Sequence, residues 1–229
     1  MSARRFAILL ATAAVAAGLS ACISVLPKTK PDQLYNFGQR VEAGAPAAAP
    51  RVGTAAAGVL LTTVEFPRAA MGDQILTISG VQSAYIAQSR WVGPASVLFR
   101  EAVERAFDRS AQRSRLIARG ETGRAALVLR LDVLDFEALY PNGPGTTPTV
   151  AVSVKGRLSG ADGRVIEDRT FDVRRPAADN RVGPIVEGFD AAVGEVLTQL
   201  VAWTDKTAGA LPSDAPGMAA ASSPTAAAR

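Results

Sequence analysis

The chain has 229 residues, with 25 Lys and Arg, 21 Asp and Glu, no His and one Cys, for a formal charge of +4. One Cys closes no intramolecular disulfide, and without imidazole a Ser-His-Asp triad, a His general base and a His-bearing metal site are excluded. The basic residues, only four of them Lys, are scattered along the chain, which argues against nucleic-acid binding.

The N-terminus reads as a targeting segment. Arg4 and Arg5 form a short positive region, and Phe6 to Gly18 is an uncharged, Ala-rich apolar run. That run is too short for a bilayer span, which takes about 20 residues, and suits the apolar core of a signal peptide. Leu19-Ser20-Ala21-Cys22 then matches a bacterial lipobox. The expected chemistry is alkylation of the Cys22 thiol with diacylglycerol, cleavage before Cys22, and acylation of the new amine. Phe6 directly after the Arg pair is off-pattern for twin-arginine export, so Sec export is expected. Removing residues 1–21 takes Arg4 and Arg5 and lowers the formal side-chain charge from +4 to +2. Acyl chains contribute about 0.8 kcal/mol per buried methylene, so two or more give a stable membrane anchor. Ile23, rather than Asp, follows Cys22, which favours outer-membrane sorting.

Residues 22–33 read as a tether, 34–204 as the folded domain and 205–229 as a disordered Ala/Pro-rich tail. In chain order, Gln33 to Phe37 is a short strand and Glu42 to Arg51 a loop. Ala57 to Phe66 is a β-branched strand stopped by Pro67. Gln74 to Ser79 and Ser83 to Ala87 flank Gly80 as a hairpin. Pro94 opens a helix with an apolar stripe of Val97, Leu98, Ala102, Val103, Ala106 and Phe107. Arg115 to Ala118 is a short strand. In Ala125 to Phe136, Leu127, Leu129, Leu131 and Val133 share one face. Thr149 to Leu158 and Val165 to Val173 pair around a turn at Asp162-Gly163. Pro184 to Trp203 is the second helix, in which Gly188 and Gly194 allow close packing. The fold class expected is α+β, a two-layer sandwich with a mixed or antiparallel sheet and both amphipathic helices on one face.

Candidate chemistry is sparse. Asp132 and Asp135, three apart on a strand, are expected on opposite faces, and Asp135 and Glu137 on the same face at a strand end. Asp162, Glu167, Asp168 and Asp172 alternate with Arg and read as exposed hairpin positions. Tyr140 to Pro148 reads as a long hairpin connection, lacking the Lys and the context of a phosphate loop. Lys155 is the one Lys of the domain, and nothing marks it as a base. The sharpest element is "YIAQSRWVGP". Its Tyr85, Arg90 and Trp91 are candidates either for a hydrophobic staple on the helix start or core packing or for a partner contact. No catalytic residue, metal or cofactor is expected.

These features together form a recognisable series: the lipobox, "LYNFG", "LLTTVEFP", "SRWVGPASVLFREAVERAF", "LRLDVLDFEA" and "IVEGFDAAVGEVLTQLVAWT". Over Leu34 to Trp203 the chain resembles the ABC-type transport auxiliary lipoprotein family, of the paraquat-inducible protein C kind. The resemblance implies a non-enzymatic periplasmic lipoprotein, membrane-bound through its lipid. Its implied partners are an ABC permease system and an MCE-domain protein that moves lipids or other apolar molecules. The alternative is an envelope-assembly lipoprotein that partners an outer-membrane β-barrel. Homo-oligomerisation stays open.

Overall fold

Alternating β-branched and polar runs become strands here because one side of each can be buried while the other meets water. The computed structural model describes residues 31–39, 56–118, 121 and 125–211. The leader, Cys22, the loop over 42–51 and the chain beyond 211 lie outside the described residues. Leu34–Arg229 form one compact unit and Met1–Gln33 another; the architecture is that of the larger unit.

The strands are β1 (Gln33–Tyr35), β2 (Ala57–Glu65), β3 (Gln74–Ser79), β4 (Gln82–Trp91), β5 (Ser114–Leu116), β6 (Leu127–Leu139), β7 (Thr149–Gly160) and β8 (Val165–Pro176). The helices are α1 (Ala95–Ser110) and α2 (Val182–Gly209). The two-layer α+β expectation matches this arrangement.

β6 organises the sheet. One edge pairs antiparallel with β7 from Leu127 to Leu139, and β7 pairs antiparallel with β8. The other edge of β6 is divided. Its first half, to Asp132, runs parallel to β2, which also carries β5 in parallel. Its end, at Ala138 and Leu139, runs parallel to β3, which carries β4 and then β1.

The split is marked by an aromatic cluster. Phe136 lies 5.1 Å from Phe37, 5.5 Å from Phe66 and 5.0 Å from Phe189, with Trp91 and Phe99 slightly further. These rings come from the chain after β1, the end of β2, β4, α1 and α2, so one residue of β6 ties both branches to both helices. Tilted and edge-to-face aromatic pairs of this kind add roughly 0.5–1.5 kcal/mol beyond burial.

α2 lies over β7 and β8 and contacts α1. It approaches closely because β7 presents Gly156 and α2 presents Gly188. A Cβ on Gly156 would sit 2.9 Å from the Trp203 ring, and one on Gly188 would sit 3.0 Å from Val150. α2 also runs past Trp203, where the sequence reading ends it, to Gly209, with Thr204, Thr207 and Ala208 buried. The expected tail boundary at 205 therefore falls inside the helix.

Two further differences have physical causes. β4 extends past Ala87 to Trp91, so Arg90 and Trp91 end a strand instead of occupying a pre-helical loop. And β6 carries a bulge at Leu134: Val133 faces Val154, but Asp135 faces Ser153. One extra residue reverses the alternation of everything after it. Asp132, Asp135 and Glu137 consequently lie on one face, opposite Lys155, Ser153 and Ala151, correcting the expectation for the first two.

Candidate functional site

The candidate element ends β4. Pairing with β3 jumps from Leu76–Tyr85 to Gln74–Arg90, so several residues of β4 oppose one of β3, and Gln88 adopts φ 54°. This irregularity re-aims the strand end. Trp91 turns inward and is 2% exposed, 4.8 Å from Phe37 and 5.3 Å from Phe189. Its backbone N–H donates to the Asp73 carbonyl at 2.7 Å.

Trp91 is therefore a core residue. It has no surface to offer a partner, and its rings of contact include α2, so it is more than a staple on the start of α1. Arg90 stays at the surface, with Nη1 3.2 Å from both Asp73 oxygens. At 40% and 46% side-chain exposure this pair contributes little stability. Tyr85 is 43% exposed and donates to the Ala69 carbonyl at 3.1 Å. The three candidates thus separate into one core residue and two surface residues that hold the loop between β2 and β3.

The face of the sheet away from the helices is polar. Arg130 bonds Glu65 at 2.8 Å and Asp132 at 3.1 Å. Arg157 bonds both oxygens of Asp168 at 2.8 Å, with Lys155 3.7 Å away. These Arg hydrogen bonds hold the Asp168 carboxyl below its ordinary range. Glu137 shifts the other way: burial raises its pKa, against the N–H of Phe136 at 2.8 Å, and Asp135 adds to the rise. Among the described residues, no group of three or more His, Cys, Asp or Glu is placed to hold a metal ion.

The Tyr140–Pro148 connection is pinned. Tyr140 donates to Asn180 Oδ1 at 2.9 Å, and Asn180 Nδ2 donates to the Pro144 carbonyl at 3.0 Å. Asp162 supports its turn by accepting from the Arg164 N–H, with Gly163 at φ 81°. A cleft of about 880 Å³ opens between α1 and the β2–β5 side, lined by Leu60, Arg100, Glu104, Asp108, Leu116 and Glu121 among others. Arg115 and Glu121 pair at its rim at 2.6 Å.

Sequence reasoning missed Asp205. One carboxylate oxygen accepts from the Arg113 N–H (3.0 Å), the Ser114 N–H (2.9 Å) and the Ser114 hydroxyl (2.6 Å). The other accepts from the Gln112 N–H (2.5 Å). Asp205 thus fastens the end of α2 to the turn between α1 and β5. Nothing in its sequence neighbourhood signals this, because the partners lie about 90 residues away.

This geometry is a packed α+β body with a charged outer sheet face. Residues 41–201 match the family described as ABC-type transport auxiliary lipoprotein component. The chain belongs to that family. No curated protein matches it. Among solved structures, protein XCC0632 from Xanthomonas campestris is similar at 22% identity and TM-score 0.61, covering 77% of this chain and 97% of its own. An uncharacterized protein is similar at 13% identity and TM-score 0.54, covering 78% and 99%. At these identities the likeness is one of fold. Among the described residues no helix is long and apolar enough to cross a membrane.

Proposed function

We propose that the mature protein is a lipid-anchored, non-enzymatic auxiliary subunit of an ABC transport system in a Gram-negative envelope. It stands on the periplasmic side of a membrane, the outer membrane being favoured by Ile23. It works beside a permease and an MCE-domain protein that moves lipids or other hydrophobic molecules. The observation that carries this reading is the family match over residues 41–201, preceded in the same chain by the lipobox Leu19–Cys22. Such a subunit needs an anchor, a rigid body and docking surfaces, and the buried aromatic cluster supplies the rigidity.

Affinity purification from detergent-solubilised membranes tests the partner. An MCE-domain protein and permease should copurify. Recovery of an outer-membrane β-barrel in their place would replace this reading with envelope assembly. Cys22→Ala should leave the chain uncleaved or free of the membrane. A cleaved Cys22→Ala chain that still fractionates with membranes would refute the lipid anchor.

A further inference from the structure

β8 ends the sheet. It pairs with β7 and, among the described residues, with no other strand. At 12 residues it is long for an edge. The phase of its ladder follows from Ala177, whose N–H donates to the Pro148 carbonyl at 2.9 Å. That bond continues the register in which Pro176 faces Thr149 and Phe171 faces Val154. In an antiparallel ladder, successive residues bond alternately toward the partner and away from it. Residues 167, 169, 171, 173 and 175 therefore bond to β7. The backbone groups of Asp168, Thr170, Asp172 and Arg174 face outward. Pro176 has the same outward phase, so its missing N–H falls on the edge and ends any ladder built there.

We propose that this edge pairs with β8 of a second copy, antiparallel about a two-fold axis at Phe171, so that one sheet runs through two protomers. Charge selects the register. When the outward groups of the two copies bond, Asp168 faces Arg174 of the second copy and Glu167 faces its Arg175. The two-fold repeats both pairs. Thr170 faces Asp172, and Ile166 meets Pro176 at each end. The neighbouring registers that keep the outward groups bonded lie two positions either side. One sets Asp168 against Asp172; the other sets Arg169 against Arg175 and Asp172 against itself. Like charges directly opposite are destabilising. Charges on an edge strand usually repel any added strand. Here they are self-complementary in one register, and the bidentate bond from Arg157 holds Asp168 in position on that edge. The proposal is independent of what the protein transports.

Sedimentation equilibrium of the mature chain in density-matched detergent tests it. The wild type should dimerise, and Asp168→Arg or Arg174→Asp should each raise the dimer Kd at least tenfold. The double variant D168R/R174D should restore it, with circular dichroism showing each variant folded. A chain monomeric at about 100 μM, or a dimer indifferent to the single reversals, would overturn the proposal. A spin label at Ile166→Cys reads the register without touching the charges. Its two copies should lie about 33 Å apart, ten residues at roughly 3.3 Å each. A separation near 26 Å, one register away, or no coupling between labels, would also overturn it.

Discussion

Individual side chains in this protein act across long stretches of sequence. Asp205 satisfies three backbone N–H groups and a hydroxyl of the turn before β5. Hydrogen bonds to a charged group contribute about 1.5–3 kcal/mol, and their loss leaves the N–H of the buried Ser114 unpaired. Asp205→Ala should cost about 3 kcal/mol by urea denaturation, and Asp205→Asn less, since one amide oxygen still accepts. Gly156→Ala should cost about 1–3 kcal/mol by overpacking, because Trp203 is held on a buried helix face and cannot retreat. Asp168 sets a pH dependence. Its folded pKa lies below the ordinary value near 3.8, so the native state binds fewer protons than the unfolded chain there. Its contribution is present above the ordinary value and is lost as pH falls through the lowered one. Glu121, also lowered by its bond to Arg115, acts in the same direction. In thermal melts, Asp168→Asn should flatten the fall in Tm between about pH 5 and pH 3.

The elements divide labour around β6. Its bulge delivers Phe136 to the aromatic cluster and turns Asp135 and Glu137 to the polar face. Because Leu134 is the extra residue, deleting it leaves Val133 facing Val154, Asp135 facing Ser153 and Phe136 facing Val152 in ordinary alternation. The deletion should therefore keep Phe136 buried and unfolding cooperative, at a cost below about 3 kcal/mol. Leu134→Ser, which keeps the bulge, should change stability by less than about 1 kcal/mol, since Leu134 is 48% exposed. Calorimetry of the two variants checks both. Loss of cooperative unfolding on deletion would show that the bulge geometry itself is required.

At the scale of the whole molecule, α2 closes the fold by joining its last turns to the start of β5. A chain ending after Trp203 loses Asp205 and the buried Thr207 and Ala208, and should unfold at a Tm at least 10 °C lower than the full chain. A chain ending after Leu211 should melt within a few degrees of it. The hydrophobic alternation and helical stripes made most elements legible, as did the β-branched runs, because burial of one face imposes period 2 or 3.6 directly on the sequence. The lipobox and the family were legible for a similar reason, being local or serial patterns. By itself the sequence determined the two-layer class, the Asp162-Gly163 turn, the Cys22 expectation and the helix stripes apart from Val97, which is 48% exposed while Phe99 takes the buried side of α1. Only the tertiary structure decided four matters: that Trp91 is core, that Asp132 and Asp135 share a face, that Asp205 is a fastening point and that β6 serves two strands on one edge. Each depends on register or on partners distant in sequence. A bulge leaves no signature in composition, and a carboxylate's acceptors are chosen by the fold around it.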